Sequence, residues 1–346
     1  MSNKWLSLST NERISALQSV ARKHNISIHA VEKDWWVTVI LKAMTMTDVS
    51  DSFLFKGGTS LSKGWNLIQR FSEDVDLSID RNFFLEHLGY SFAKCENKSQ
   101  IKNLCKKSRD YIHYELSDQL GKCLLDMGVT GFSIENLTTK ETPTGIKPIG
   151  HNVDPTVIFV HYDSLLPSVD GIDIDHRVKI EISCLSLAEP FETKQIRTLI
   201  AESFPDADDF WCDVRTVTPT RTFIEKVLLL NEELQKDHPR TRRMSRHLYD
   251  IEKLMNSDYG KQALRDIDLF HSIVEHRRKF YHLRYVDYDK DYPQHISFCP
   301  TGEVLELYKS DYNKNMVAHF IYGDALPFEA LMNRLHQLQS DIRNME

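Results

Sequence analysis

Between residues 53 and 79 the chain reads FLFKGGTSLSKGWNLIQRFSEDVDLSI, and this stretch limits the possible folds more than any other. Phe53-Leu54-Phe55 is a short apolar run that stops at Gly57-Gly58, the pattern of a strand entering a tight turn. Ser60 to Ile68 has helical spacing, and Asp74 to Ile79 alternates like a second strand. A strand, a glycine turn, a helix and a returning strand require a sheet to form around them. Two adjacent glycines permit positive φ and let backbone approach a ligand closely. A helix beginning at Thr59 or Ser60 would add free N–H groups and hydroxyls, the makings of an anion site. Taken alone, such a turn is more often structural than functional.

Asp74 and Asp76 are one residue apart in the strand pattern, so their side chains project from the same face. Two carboxylates held that close repel, and burying them would raise one pKa unless a cation compensated. Mg²⁺ suits that role, because it prefers hard oxygen donors, keeps waters and binds substrate phosphates. A third acid, Glu181, alternates with Ile180 and Ile182 and shares a face with Lys179 and Ser183. Read singly, the aspartates are a solvated strand end and Glu181 is the polar face of a half-buried strand. Read with the glycine turn, the three acids describe a two-metal phosphoryl-transfer site, with ions about 3.5–4 Å apart clamping the attacking and leaving oxygens.

The segments KGGTSLSK (56–63) and RFSEDVDL (70–77) resemble the AbiEii/AbiGii toxin family, a branch of the DNA polymerase β-type nucleotidyltransferases. EKDWWV at 32–37, TRTFIEK at 220–226 and RHLYDI at 246–251 extend the resemblance in the expected order. It implies a mixed α+β fold: a polymerase β-like nucleotidyltransferase domain on a central mixed sheet, plus a mainly helical C-terminal domain. It implies that Gly57, Gly58, Thr59 and Ser60 hold nucleotide phosphates and that Asp74 and Asp76 bind catalytic Mg²⁺ or Mn²⁺. Glu181 would be a third metal carboxylate, one that the family does not always use. Lys226 would serve nucleotide binding and catalysis, and Asp250 would be the acid of the last motif. The sequence departs from the pattern in two ways. The gap from the glycine turn to Asp74 is slightly longer than in generic polymerase β-like enzymes, and Thr59 stands where many relatives have serine. The resemblance further implies a toxin of a bacterial toxin–antitoxin or phage-defence system, with an NTP as substrate and a cognate antitoxin as partner. Its acceptor would be RNA, at the 3′ end of tRNA, so that translation and growth are inhibited.

Plainer readings of these residues stay open. Lys226 lies among Val227, Leu228 and Leu229 and could be a snorkelling surface lysine. Asp250 follows Arg246 by four positions, the spacing of an ordinary helix ion pair. Lys98, Lys102, Lys106 and Arg109 recur at helical spacing, either as a solvated face or as a stripe that tracks RNA phosphates. Arg240, Arg242, Arg243 and Arg246 precede Asp250 directly and are the stronger candidates for RNA contact.

Elsewhere, helical spacing covers 10–23, 29–46 and 99–126, and strand patterns occupy 156–162 and 177–184. Residues 139–155, with Pro143, Gly145, Pro148, Gly150 and Pro155, read as a loop, and 204–219 as a second break. Helices then recur at 220–236, 243–256, 260–283 and 326–344. This layout places a nucleotidyltransferase domain at 1–205 and a helical domain at 206–346 that contributes to the active site. No apolar run approaches the roughly 20 residues of a membrane span, and mean hydropathy is −0.40, so a soluble cytoplasmic protein without a membrane role is expected. Six cysteines without a C-x-x-C pair are expected to be reduced, packed thiols. The net charge of −7 argues against a general nucleic-acid binder, and no direct DNA contact is expected. It also keeps one rival in play, the same chemistry on a small molecule or a protein; a second rival, a non-catalytic NTP-binding module, is disfavoured by the intact Asp74/Asp76 pair.

Overall fold

Alternation along the first strands sets the sheet. In β1 (Phe53–Lys56) Phe53 and Phe55 are buried while Leu54 and Lys56 are half-buried, and β2 (Val75–Ile79) repeats this with Val75 and Leu77 inward and Asp76 half-buried. The computed structural model describes residues 4–142, 144–167, 175–186 and 190–345. Two compact units form, one from 1–64 with 72–216 and the other from 65–71 with 217–346.

The first unit adds β3 (Phe132–Asn136), β4 (Thr139–Thr142), β5 (Gly145–Pro148), β6 (Thr156–Tyr162), β7 (Arg177–Ser183), β8 (Phe191–Arg197) and β9 (Trp211–Val217). Seven strands make one mixed sheet in the order β3-β6-β7-β2-β1-β9-β8, while β4 and β5 form a separate ribbon. β2 runs antiparallel to β1 and parallel to β7, which pairs antiparallel with β6. The chain therefore has the mixed α+β fold expected of it, with 53% helix and 16% strand. Ile158, Val160, Val178, Ile180 and Ile182 are buried, and the Ile28–Met44 helix is buried on nearly every side. Trp36 of that helix stacks on Tyr162 at 4.9 Å and Trp35 meets Phe210 edge-on at 5.4 Å, which fixes the helix on the sheet.

The structure departs from the sequence reading in several places. The helix after the glycine turn is only Gly57–Thr59 followed by a π-helical turn, Ser60–Gly64, and Asn66 turns to positive φ (51°). The span 99–126 is likewise interrupted by a π-helical turn, Ile112–Leu116. Residues 139–148 form the β4–β5 ribbon instead of a loop (Pro143 lies outside the described residues). The unit boundary falls at 216/217 instead of 205/206, because β9 enters the sheet beside β1, with Phe55 opposite Thr216. Strand β8 escaped the sequence reading since its exposed polar residues show no apolar alternation, and β3 since its alternation is confined to Phe132 and Ile134, both only half-buried.

The second unit is helical: Pro219–Glu233, Ser245–Met255, Asp258–Ala263, Ile267–Phe280, Gly302–Asp311 and Phe328–Arg343. The expected helix at 260–283 is two helices, the second capped by Asp266, whose carboxylate accepts from Leu269 N–H at 2.8 Å. The core of this unit buries charge. Arg277 donates Nε–H to Glu232 Oε1 at 2.6 Å, and Asp291, fully buried, accepts from Asn231 Nδ2 at 2.7 Å through Oδ1. Asp291 Oδ2 has no donor among the described residues, and burial together with the neighbouring Glu232 charge pushes this carboxyl up to about 7. A carboxyl whose pKa is higher folded than unfolded stabilises the fold in acid, and that contribution is lost as pH rises through 7. Asp291→Asn supplies an N–H where the acid holds its proton. Its melting temperature should exceed the wild type's at pH 8, by a stability of about 4 kcal/mol at most, and converge with it near pH 4. A gap that does not narrow with falling pH would show that Asp291 is already ionised in the fold.

Candidate active site

Three carboxylates gather on the half-buried side of the sheet. The register sets Lys56 opposite Asp76 across β1–β2, and Asp76 opposite Glu181 across β2–β7, so these side chains stand in one row. Asp74 precedes β2 directly. The Lys179 ammonium ion-pairs with Glu181 and lies in the field of Asp74 and Asp76 as well. Burial alone would lower the Lys179 pKa, but these three acids together hold it above its usual value.

Gly57 has φ +75°, and a Cβ placed there would overlap the Asp76 carboxylate. Only glycine satisfies both the turn and this close approach. The turn and the acid pair, 19 residues apart in sequence, are thus one construction in space. Thr59 and Ser60 are fully buried, and their hydroxyls are engaged within the unit. Thr59 Oγ1 donates to the Asp74 carbonyl and lies 2.9 Å from Ser72 Oγ, while Ser60 Oγ donates to Gly57 O at 2.9 Å. These hydroxyls, which the sequence offered to phosphate, brace the turn and the Asp74 loop.

A second set of residues holds this construction. Glu32, Lys33 and Asp34 sit on the buried Ile28–Met44 helix, where an unpaired charge would be costly. Each is paired. Glu32 accepts from Ser164 Oγ at 2.5 Å and Leu165 N–H at 2.6 Å, and Lys33 donates to Glu73 at 2.7 Å. Asp34 ion-pairs with Lys63 and accepts from Leu199 N–H at 2.8 Å. One helix therefore grips the end of the glycine turn through Lys63 and the residue before Asp74 through Glu73. Sequence reasoning noticed these residues only as matching segments. Three consecutive charges inside an otherwise apolar helix were the available signal.

Among the described residues no group of three or more His, Cys, Asp or Glu side chains is set as a ready metal site. The donor set nevertheless fits a divalent ion: Asp74 and Asp76 offer two hard carboxylates, and Mg²⁺ commonly takes one or two plus substrate phosphates and water. Glu181 stands beside them but is drawn to Lys179.

The helical unit contains its own buried charge cluster. Asp250 is wholly buried. Arg70 donates Nε–H and an Nη2 hydrogen to its two oxygens at 2.7 and 2.8 Å, and Lys226 Nζ reaches Oδ2 at 2.8 Å. Burial alone would raise the Asp250 carboxyl, but Arg70 and Lys226 outweigh it and hold the group well below the usual carboxylate range. Both cations converge on this one carboxylate. Burial, followed by the Lys226 and Arg246 charges, keeps His247 neutral by lowering its pKa well below the usual histidine value. The four arginines proposed for RNA contact divide. Arg240 is clamped on Glu233 (Nη2–Oε2 2.7 Å) and Arg243 lies over the Phe320 ring at 4.9 Å, while Arg242 is exposed and Arg246 half-buried.

With this geometry in hand, comparison with known proteins is specific. A family model described as "Nucleotidyl transferase AbiEii toxin, Type IV TA system" matches residues 39–334. Among solved structures, the nucleotidyltransferase toxin MenT4 of Mycobacterium tuberculosis H37Rv is similar in fold. The TM-score is 0.51 at 15% identity, over 95% of this chain and 90% of that one. No curated protein sequence matches significantly.

Proposed function

The chain belongs to the AbiEii nucleotidyltransferase toxin family of type IV toxin–antitoxin systems, and from that premise we propose that it moves a nucleoside monophosphate from an NTP to the 3′-hydroxyl of an acceptor RNA, with tRNA as the acceptor. The acceptor oxygen forms a bond to the α-phosphorus, the bond from that phosphorus to the β-phosphate oxygen breaks, and pyrophosphate leaves. Blocking tRNA 3′ ends would halt translation and growth, and a cognate antitoxin would restrain this. No helix among the described residues is long and apolar enough to cross a membrane, and we assign the reaction to the cytoplasm, where tRNA is available.

The observation that carries this reading is the seating of Asp76 against Gly57, two residues beyond Asp74. A divalent ion held by Asp74 and Asp76 would supply charge neutralisation to the reacting phosphoryl oxygens. The chain's own residues do the positioning. Gly57 fixes the Asp76 carboxylate, Thr59 holds the Asp74 carbonyl, and the Lys33–Glu73 and Lys63–Asp34 pairs anchor both flanks. Among the described residues Lys226 ion-pairs with Asp250, which Arg70 also holds, and its ammonium is a point charge suited to a triphosphate.

The test is to incubate the purified protein with Mg²⁺, total bacterial RNA and each α-³²P-labelled NTP separately. Label should enter tRNA-sized RNA with a preference for one base. Label confined to protein or small solutes would replace the RNA acceptor, and no incorporation from any NTP would remove transfer itself.

A further inference from the structure

We infer that the helix Lys98–Tyr111 and the β4–β5 ribbon of the first unit form one cationic surface that binds the strand of the acceptor RNA, a reading that rests on the RNA acceptor proposed above. The helix buries Ile101, Leu104 and Cys105 and turns Lys98, Lys102, Lys106 and Lys107 to solvent. Lysines four apart repel one another, a loss of a few tenths of a kcal/mol per pair. Some lysines elsewhere on the chain do find carboxylates, as Lys122 does with Asp118 and Lys309 with Glu329. Among the described residues Lys102, Lys106 and Lys107 make no ion pair. In a chain with 50 acidic and 43 basic residues, such segregation leaves this face short of anions.

The ribbon repeats the pattern by a different route. Its register sets Lys140 directly opposite Lys147, a like-charge pair that destabilises a two-stranded hairpin already marginal by itself. Nearly all its residues are exposed, so it contributes little core. Its feet are held by Arg109, which sequence spacing had put on the lysine face but which turns inward. The Arg109 guanidinium donates to Leu137 O and to Gly150 O, each at 3.1 Å. A buried arginine of the lysine helix therefore ties the two lysine groups into one body. Just beyond, Tyr114 is 75% exposed, more than any other large hydrophobic or aromatic side chain described. Unpaired cations at a spacing of about 6 Å beside an exposed aromatic match successive phosphates and an unstacked base of single-stranded RNA.

Binding of fluorescent, unfractionated bacterial tRNA, without NTP and over a salt series, separates the possibilities. K102E/K106E and K140E/K147E should each weaken binding at least tenfold and lower the slope of log K against log salt by about 1.5, with NTP binding and melting unchanged. Tyr114→Ala should weaken binding with an unchanged slope. Should either glutamate pair perturb melting, the corresponding glutamine pair carries the test and should lower the slope by a similar amount. Wild-type affinity and slope in the lysine variants, with RNA still labelled, would overturn the surface and leave the acceptor reading intact. A wild-type protein that neither binds nor labels RNA would bring down the acceptor reading, and the surface with it. Variants that bind tRNA normally but escape neutralisation by the antitoxin would reassign the surface to a protein partner.

Discussion

Asp76→Asn and Asp74→Ala are each expected to reduce nucleotide transfer by about 10³-fold or more, with the fold intact. Removing one carboxylate from a phosphoryl-transfer centre forfeits several kcal/mol of charge stabilisation in the transition state, and about 4 kcal/mol corresponds to 10³ in rate. Stability should change little by comparison. Asp74, Asp76 and Glu181 all favour the Lys179 charge, so losing one carboxylate removes like-charge repulsion and part of that attraction together. A variant that is inactive yet melts near the wild-type temperature is the signature of a residue kept for chemistry. Gly57→Ala should lose activity by a different route. Its Cβ overlaps the Asp76 carboxylate and its φ of +75° disfavours any side chain, so Asp76 must move and the turn is strained by roughly 1–2 kcal/mol. Transfer rates and melting curves on the same preparations decide the matter. An Asp76→Asn protein with a tenth or more of wild-type activity would take this carboxylate out of the reaction.

The parts of this arrangement that were legible from sequence are those written in local periodicity. β2 and β7 follow apolar alternation, β1 and β6 are short apolar runs, and the spacing of Asp74 and Asp76 marks them as a pair whatever the fold. What alternation cannot supply is which strands become neighbours. That Asp76 faces Glu181 depends on a parallel pairing of β2 with β7 across about a hundred residues, and parallel register leaves no local trace. β9 was missed for a related reason. It lies within a stretch rich in acids and breakers, and only its place beside β1 makes it part of the first unit. Thr59 and Ser60 looked like phosphate ligands because hydroxyls after a glycine turn often are. Their burial, decided by the Asp74 loop folding back over them, gave them structural partners. Arg109 shows the same limit. Its spacing matches the lysines, yet the carbonyls of Leu137 and Gly150 draw it inward. Charged residues declare their number in a sequence and their partners only in a fold.

Asp250→Asn should destabilise the protein by about 3–5 kcal/mol at pH 7, because it leaves Arg70 and Lys226 buried without their shared anion. Sequence spacing offered Asp250 a helix partner in Arg246. The structure gives it Arg70, 180 residues away, which holds both carboxylate oxygens and fixes the segment 65–71 to the helical unit. The pH dependence follows in sign. A carboxyl whose folded pKa is depressed contributes stability that is present above its unfolded pKa and lost as pH falls toward the folded value. Wild type should therefore lose stability in acid below about pH 4, and Asp250→Asn should show a flatter acid limb. Loss of stability alone would not distinguish a structural cluster from a functional one. Replacing a buried ionic triad by apolar residues of similar size is often neutral or stabilising, since the desolvation of three charges is removed together. The triple variant Arg70→Met, Lys226→Met, Asp250→Leu should then recover most of the stability that Asp250→Asn loses, yet transfer no nucleotide, because the lysine suited to the triphosphate is gone. If the triple variant is both stable and active, the cluster is scaffolding. If it is stable and inactive, and Lys226→Met alone raises the KM for NTP, the Lys226 ammonium is what the protein maintains there.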